Sequence, residues 1–305
     1  MRLVRHVLDG ATRPGAVLPG PDAPDDDRLL DLAPVVPGHD VVDLLRDPTL
    51  LDQARSAAAT VDPATLPLLA DARLAPPVVP GAILCIGHNY TGHLGIGVPD
   101  EDRPTGPNVF VKTPNTLSGP HDAVVIPAAS NAVDYEGEIA VVIGRRAHRV
   151  PLAEAEACIG GLTLFDDVSA RDWQQRTSQW TLGKCADGFG QLGPAVVTAD
   201  EALPLTGREL TVERDGVVTA HASTDQMVFS PAFLVHHLSQ VMTLEPGDVI
   251  ATGTPAKTAA VAATHVPMRH GDAVTISVTG LGSLTTTFVD DVPPSTATPT
   301  SGGPL

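Results

Sequence analysis

Short apolar runs separated by turn residues dominate the chain from residue 80 onward. Their length and their β-branched residues are typical of strands. The sequence predicts strands in NVFVK (108–112), AVVIP (123–127), EIAVVIG (138–144), TLFDDVSA (163–170), PAVVT (194–198), LTVERDGVV (210–218), DVIATG (248–253), AVTISVTG (273–280) and SLTTTFV (283–289). The pair Asp215-Gly216 predicts a tight hairpin turn inside the sixth of these runs.

Helical spacing of apolar residues is confined to a few segments. Two lie in the strand-rich region, PLAEAEACIG (151–160) and SPAFLVHHLSQVM (230–242), and one lies earlier, at 41–59, broken by Pro48. The pattern therefore predicts a β-rich α+β protein in three parts: a small N-terminal domain (1–75), a main domain (76–291) and a disordered tail (292–305).

Composition excludes several functional classes. The chain has 19 basic and 36 acidic residues, a formal net charge of −17, so we expect no nucleic-acid partner. Its three cysteines form no CxxC pair, which suits a reducing compartment. We see no secretory signal and no apolar run near ~18 residues, so a cytoplasmic protein without a membrane partner is expected.

The stretch VDYEGEIAVVIG (133–144) places carboxylates at the start of a buried strand. Glu136 and Glu138, two positions apart, would share one face about 6.6 Å apart along the strand. Such like charges both stay ionised only if a cation sits between them, and oxygen ligands suit Mg²⁺. The alternative is an edge strand whose acidic side chains face water.

A second apolar run, TLFDDVSARDWQQ (163–175), ends in Asp166 and Asp167. A carboxylate here would complete a metal triad, although acids at the start of a helix are also common. Lys184 is isolated in an apolar, Gly-rich context, where it would either bind a substrate oxyanion or lie in a solvated loop. His88 and His93 follow another strand, where a histidine acts as a general base or simply belongs to a polar loop.

Eight ordered motifs together resemble the fumarylacetoacetate hydrolase (FAH) superfamily, acylpyruvate hydrolase-like members included. In this chain they are CIGHNYTGH (85–93), PNVFVK (107–112), VDYEGEIAVVIG (133–144), DDVSARDWQ (166–174), WTLGK (180–184), LGP (192–194), EPGDVIATGTP (245–255) and HGDAVTISVTGLG (270–282). The resemblance implies an FAH-type mixed β-roll or sandwich catalytic domain, a variable small N-terminal domain and a homodimer.

The resemblance also implies a role for particular residues. Glu136, Glu138 and Asp167 match ligands of Mg²⁺ or Mn²⁺, which would stabilise an enolate of a small oxo acid or diketone substrate. His93 and Lys184 match catalytic residues, and the substrate-binding set is Arg171, Gln174, Thr254 and His88. Asp134 is not a ligand in this pattern, and we expect it to form structural hydrogen bonds.

Three positions depart from the family pattern. His88 stands where other members often carry Arg or Leu. Ile96 stands where many members carry the Glu of a His–Glu dyad, and Asp100, Glu101 or Asp102 are candidate substitutes. Lys257 stands where a glycine is common. The leading hypothesis is metal-dependent hydrolysis of a C–C bond in an acylpyruvate-like compound or other 1,3-dicarbonyl. The alternatives are a non-hydrolytic enzyme (decarboxylase, hydratase or dehydratase, isomerase) and a non-catalytic metabolite-binding homologue.

Overall fold

A computed structural model describes residues 1–20, 26–94, 104–264 and 266–291. The strands, β1 to β18 in chain order, are Arg2–Leu8, Ala11–Leu18, Arg28–Asp31, Leu74–Ala75, Ile83–Gly87, Asn108–Lys112, Leu117–Ser118, Val124–Ile126, Val133–Asp134, Gly137–Ile143, Ile159–Asp167, Ser169–Ala170, Gly190–Thr198, Glu209–Arg214, Val217–Ser223, Val249–Ala251, Ala273–Val278 and Gly282–Asp290. The α-helices, α1 to α9, are Val41–Arg46, Pro48–Thr60, Thr91–Leu94, Leu152–Ala155, Arg171–Gln174, Thr181–Lys184, Ala199–Ala202, Pro231–Ser239 and Ala259–Thr264.

The strands of the described residues form one large and one smaller sheet. The main path of the large sheet is β3-β2-β1-β13-β11-β10-β16-β5-β6, with β4 beside β1 and β7 beside β13. The smaller sheet runs β15-β14-β17-β18-β8, and β9 pairs with β12 separately. The sheet-rich architecture confirms the predicted β-rich α+β class.

Strand β10 is apolar from Ile139 to Ile143 because both of its faces are buried there. Ile139 and Val141 belong to the core cluster that includes Val212 and Ile276 of the smaller sheet. Ala140 belongs to a second core cluster on the other face, with residues of the N-terminal helices. A strand covered on both sides loses the usual alternation of apolar and polar residues. The centre of the large sheet therefore lies between two cores.

The N-terminal region extends the same large sheet. Strand β1 pairs antiparallel with β13, with Leu3 opposite Val196. Helix α1 ends at Arg46 and Asp47 caps α2, which begins at Pro48, so the predicted break in this helical segment is confirmed. The strands β1 to β3 were not predicted. The division into domains at residue 75 stays a prediction.

Most of the predicted elements of the main region are present with shifted ends. The Asp215-Gly216 turn joins β14 to β15, and both residues have positive φ, +51° and +77°. The helical segment at 151–160 is shorter than predicted, because β11 already begins at Ile159. The predicted disordered tail (292–305) lies outside the described residues. Within the described part of the chain, no helix is long and apolar enough to cross a membrane.

Candidate active site

Several strand ends of the large sheet converge on one edge. Strands β5 and β16 are parallel, so their carboxyl ends leave the sheet together. Strand β10 is antiparallel to β16 and begins at this edge, while its other neighbour, β11, ends there with Asp167. Loops at converging strand ends are where a rigid sheet can hold functional side chains. The sequence motifs of all four strands therefore meet at this edge.

The register of β10 and β11 places three carboxylates on one face. Gly137 lies opposite Asp166, and the amide of Asp167 donates to the carbonyl of Glu136 at 2.9 Å. Since side chains alternate along a strand, Asp167 shares a face with Glu136 and Glu138, whereas Asp166 points to the opposite face. One oxygen from each of the three carboxylates lies within 4.8 Å of the others.

Two buried lysines hold Asp167. The ammonium of Lys184 donates to Asp167 Oδ2 at 2.7 Å and to Glu136 Oε2 at 2.6 Å. Lys112 Nζ donates to Asp167 Oδ1 at 2.5 Å and to the Val168 carbonyl at 3.0 Å. Both lysines are 1% exposed, so these are charge-assisted hydrogen bonds away from water. Burial opposes the charge of Lys184, but Asp167 and Glu136 raise its pKa.

Arg171 links Glu136 to Asp134. Its Nη2 lies 2.6 Å from Glu136 Oε1 and donates to Asp134 Oδ2 at 2.8 Å, and its Nε donates to the same oxygen of Asp134 at 2.9 Å. Burial alone would raise the pKa of Glu136, but the charges of Arg171 and Lys184 lower it well below its ordinary value. Glu136 is therefore ionised at neutral pH. The hydrogen bonds of Asp134 agree with its expected structural role.

Glu138 has the opposite electrostatic environment. Burial, and then the charges of Asp167 and Glu136, raise its pKa well above the ordinary value. Its Oε2 accepts a hydrogen bond from the amide of Gly253 at 2.8 Å. Gly253 adopts φ +95°, and a Cβ there would lie 2.9 Å from Asn89 Cβ and from the Ile86 carbonyl oxygen. Only glycine fits this close approach without strain.

The donor set fits a hard divalent cation. It consists of carboxylate oxygens alone, which Mg²⁺ and Mn²⁺ accept and which soft metals do not favour. Burial, and then the charges of Asp167 and Glu136, raise the pKa of Glu138, which is 1% exposed. A divalent cation would relieve the repulsion among these carboxylates. Glu136, Glu138 and Asp167 are the residues that would hold such an ion.

His93 lies in α3, immediately after β5, and faces the loop that follows β16. Its Nε2 lies 2.9 Å from the carbonyl oxygen of Thr254. Because a carbonyl only accepts, Nε2 carries the proton, and Nδ1 is the basic nitrogen of the neutral ring. Desolvation lowers the pKa of His93, and the neighbouring His88 lowers it further, although the Thr254 carbonyl and Glu136 act in the opposite direction. The neutral, basic form is thus favoured near pH 7.

A cavity of about 510 Å³ connects these groups. Trp180 forms part of its wall, with its ring centroid 5.3 Å from Phe110 and 5.8 Å from His88. His88 adopts the left-handed conformation (φ +58°), and its ring lies 5.7 Å from that of His93. The lining residues are Ile86, Gly87, His88, His93, Phe110, Glu136, Glu138, Arg171, Gln174, Gln175, Thr177, Trp180, Lys184 and Thr254.

The structure brings the predicted site residues together. The nine residues singled out from the sequence all line this cavity, except Asp167, which lies behind it against Lys184. Gln174 accepts a hydrogen bond from Arg171 Nη1 at 2.9 Å. Sequence reasoning missed Lys112, although a lysine that ends an apolar strand in a lysine-poor chain was an available signal. It also missed the aromatic pair Phe110 and Trp180.

The predicted acidic partner of His93 falls in a segment next to α3. Ile96 and the candidate substitutes Asp100, Glu101 and Asp102 all lie outside the described residues. In the described part of the chain, the hydrogen-bond partner of His93 is the Thr254 carbonyl. Lys257, another departure from the family pattern, forms an ion pair with Asp134.

The fold and the site define a class of protein: a β-rich protein with a carboxylate cluster suited to a divalent cation. The family described as fumarylacetoacetate (FAA) hydrolase C-terminal matches residues 82–289. The mitochondrial oxaloacetate tautomerase FAHD2A of Homo sapiens is 38% identical over 239 residues, covering 77% of this chain and 74% of that protein.

Solved structures give the same result. Fumarylacetoacetate hydrolase from Exiguobacterium antarcticum aligns with a TM-score of 0.79 and 29% identity, covering 95% of this chain and 100% of that one. The 5-carboxymethyl-2-hydroxymuconate delta-isomerase from Mycobacterium smegmatis aligns with a TM-score of 0.74 and 31% identity at the same coverage. The chain belongs to the fumarylacetoacetate hydrolase family, as the sequence motifs predicted.

Proposed function

We propose that this protein is a divalent-metal-dependent enzyme that converts a small 2-oxo acid or 1,3-dicarbonyl compound through an enolate. The observation that carries the proposal is the buried cluster of Glu136, Glu138 and Asp167 beside a cavity that also contains His93. A Mg²⁺ or Mn²⁺ ion at the cluster would supply the Lewis acid that stabilises the enolate charge.

The residues around the cluster supply binding and proton transfer. Arg171 and Gln174 present hydrogen-bond donors to a substrate carboxylate, and Arg171 is the natural partner for it because its charge is permanent. Lys184 places a second positive charge beside the developing oxyanion. His93, held by the Thr254 carbonyl, keeps Nδ1 available as the general base.

The leading reaction is hydrolytic cleavage of the C–C bond in an acylpyruvate-like substrate. In this reaction His93 takes a proton from water, the hydroxide attacks the acyl carbonyl, and the C–C bond breaks to release the enolate as leaving group. The cavity of about 510 Å³ supports this choice, because it offers room for an acyl substituent beside the oxo-acid end of the substrate. The Phe110 and Trp180 rings give that substituent an apolar wall.

The second candidate is proton transfer without cleavage, as in a keto–enol tautomerase or an isomerase. Ile96, which stands where many members carry the dyad Glu, favours it, because moving a proton within the substrate needs a positioned base such as His93 but no activated water. Two similar proteins carry such names, an oxaloacetate tautomerase and a delta-isomerase. Both candidate reactions use the same three carboxylates, which would hold the metal ion.

Mass spectrometry separates the two reactions. Purified protein with Mg²⁺ or Mn²⁺ is incubated with a panel of acylpyruvates and with oxaloacetate, and enol absorbance is followed in parallel. Hydrolysis adds the mass of water over two fragments, whereas tautomerisation changes the absorbance at constant mass. The variants Glu138→Gln and, as matched control, the exposed Glu154→Gln identify metal-dependent turnover. No metal-dependent conversion of any compound would contradict the proposal.

A further inference from the structure

All three lysines of the chain lie in or beside the candidate active site. Lys112 and Lys184 contact Asp167 directly, whereas Lys257 reaches Asp134. The Lys257 ammonium donates to both Asp134 oxygens at 3.0 Å and lies 4.4 Å from the centroid of the Tyr135 ring. Lys257 does not line the cavity, and neither does Asp134. The ammonium of Lys257 therefore meets the site through the carboxylate of Asp134.

We propose that Lys257 is a positioning residue that keeps the Arg171 guanidinium directed into the cavity by sharing the carboxylate of Asp134. This inference rests on the proposed function, in which Arg171 binds the substrate carboxylate. Arg171 divides its donors between Asp134, at the back, and Glu136 and Gln174, at the cavity. The position of the guanidinium therefore depends on how strongly Asp134 attracts it, compared with Glu136 and Gln174.

The charge of Lys257 determines how strongly Asp134 attracts Arg171. Asp134 is 4% exposed, so its carboxylate interacts with nearby cations with little screening by water. The ammonium of Lys257 takes up part of its negative charge. When this ammonium is removed, more of the charge is left for Arg171, which is then held more tightly at the back. A guanidinium held in this way competes less well for a substrate carboxylate.

The backbone around Lys257 contacts strand β15 of the smaller sheet and also holds His93. Lys257 forms a β-bridge with Ala220, and the next amide, of Thr258, donates to the Thr219 carbonyl at 2.8 Å. Three residues before Lys257, the Thr254 carbonyl orients His93. The segment Thr254–Lys257 is thus anchored on the smaller sheet. This segment holds His93 through the Thr254 carbonyl and acts on Arg171 through Lys257 and Asp134, so both side chains face the same cavity. Catalytic geometry depends on such supporting contacts.

The kinetic test uses Lys257→Met, which keeps the length and the apolar stem over Tyr135 but removes the charge. We expect KM for a carboxylate-bearing substrate to rise about tenfold, the equivalent of one weakened charge-assisted hydrogen bond, with kcat changed much less. Lys257→Arg should restore most of the affinity. In an Asp134→Asn background, Lys257→Met should have almost no further effect. Full additivity of the two substitutions would overturn the proposal.

The control is Arg46→Met, which removes an exposed positive charge at the end of helix α1, and Arg46 does not line the cavity. An equal rise of KM in this variant would mean that only the net charge matters, and the proposal would fail.

A spectroscopic measurement tests, independently of turnover, whether Lys257 affects the contact between Arg171 and Asp134. Arg171 Nε donates to Asp134, so its ¹⁵N–¹H resonance, assigned by its loss in Arg171→Lys, reports this contact. We expect the resonance to shift in Lys257→Met and not in Arg46→Met. If the wild type converts no compound, the proposed function fails while this spectrum still tests Lys257. An unchanged resonance in a folded Lys257→Met protein would overturn the inference even if turnover is normal.

Discussion

Glu138 is a buried acid whose environment disfavours its own charge when no cation neutralises the cluster. Burial and the adjacent carboxylates raise its pKa, so ionising it near pH 7 reduces the stability of the metal-free fold. We expect Glu138→Gln to raise the free energy of unfolding of the metal-free protein by about 1–3 kcal/mol, measured by urea denaturation. The same variant should lose the stabilisation that Mg²⁺ gives the wild type.

Glu154→Gln is the control for Glu138→Gln, because Glu154 is exposed and lies outside the cluster. Glu154→Gln should leave unchanged both the free energy of unfolding of the metal-free protein and the stabilisation by Mg²⁺. A Glu138→Gln protein that binds Mg²⁺ in calorimetry as tightly as the wild type would contradict the metal site.

His93 should set the acid limb of the pH profile. Its pKa is lowered from 6.5, first by desolvation and then by the charge of His88, and only the neutral ring is a base. We expect kcat/KM to fall as the pH drops through a value below 6.5. His93→Asn should reduce kcat by about 10²–10⁴-fold, the usual contribution of a general base. The measurement is initial rate against pH at saturating metal.

His88→Gln provides a matched test of this pH assignment. Because a charged His88 disfavours a charged His93, its replacement should move the acid limb towards higher pH. If the limb keeps its position in His88→Gln and the activity survives in His93→Asn, the base is another group.

The sequence predicted which carboxylates form the cluster but not what surrounds them. The two-residue spacing of Glu136 and Glu138 is a local property of the chain, so it can be seen in the sequence. The choice of Asp167 over Asp166 followed from the family motif, and the register of β10 against β11 now gives its physical reason. The position of Lys112 at the end of an apolar strand marks it as unusual, but its contact with Asp167 spans 55 positions, so the local pattern does not show which acid it meets.

At the scale of elements, β10 is fixed by close packing on both faces. A Cβ at Gly137 would lie 2.6 Å from Val212 Cγ2 and 2.8 Å from Ile276 Cγ1 of the smaller sheet. We expect Gly137→Ala to lower the free energy of unfolding by about 1–3 kcal/mol, because the two sheets must move apart to admit the methyl group. Since Glu136 and Glu138 flank this position, the affinity for Mg²⁺ should also fall.

Gly106→Ala is the comparison for Gly137→Ala. A Cβ at Gly106 would meet its nearest neighbour, His237, at 3.6 Å, an ordinary contact. Urea denaturation of both variants measures their free energies of unfolding, and we expect only Gly137→Ala to be clearly less stable than the wild type. Equal stabilities would show that the two sheets do not approach as closely as described.

The N-terminal strands show which elements the sequence does not reveal. Arg2 and Arg5 in β1 interrupt the apolar pattern, so the segment was not recognised as a strand. In the fold these arginines pair with Asp27 and Asp40, far along the chain. Their polarity therefore reflects partners that only the tertiary structure supplies. In the main region, burial on both faces makes central strands such as β10 and β16 almost uniformly apolar, whereas β17 and β18 alternate buried and more exposed positions, and both patterns are visible in the sequence.

At the scale of the whole molecule, the three lysines all lie where the fold has its buried acids. The chain carries a net charge of −17 and only three lysines, and each lysine contacts an acid of the site. A divalent cation would therefore enter a cluster whose charge the protein already balances in part. Metal binding and the lysine contacts should both contribute to global stability, and each should matter more when the other is absent.

Replacement of Lys112 tests this coupling through the unfolding of the entire protein. Lys112→Met leaves Asp167 buried with Lys184 as its remaining described cation, and breaking a buried pair costs about 3–5 kcal/mol. With Mg²⁺ bound, the ion neutralises Asp167, so the loss of stability should be smaller. We therefore expect Mg²⁺ to raise the unfolding temperature of Lys112→Met more than that of the wild type. An equal rise in both proteins, with Arg46→Met as the charge control, would mean that Asp167 does not bind the metal.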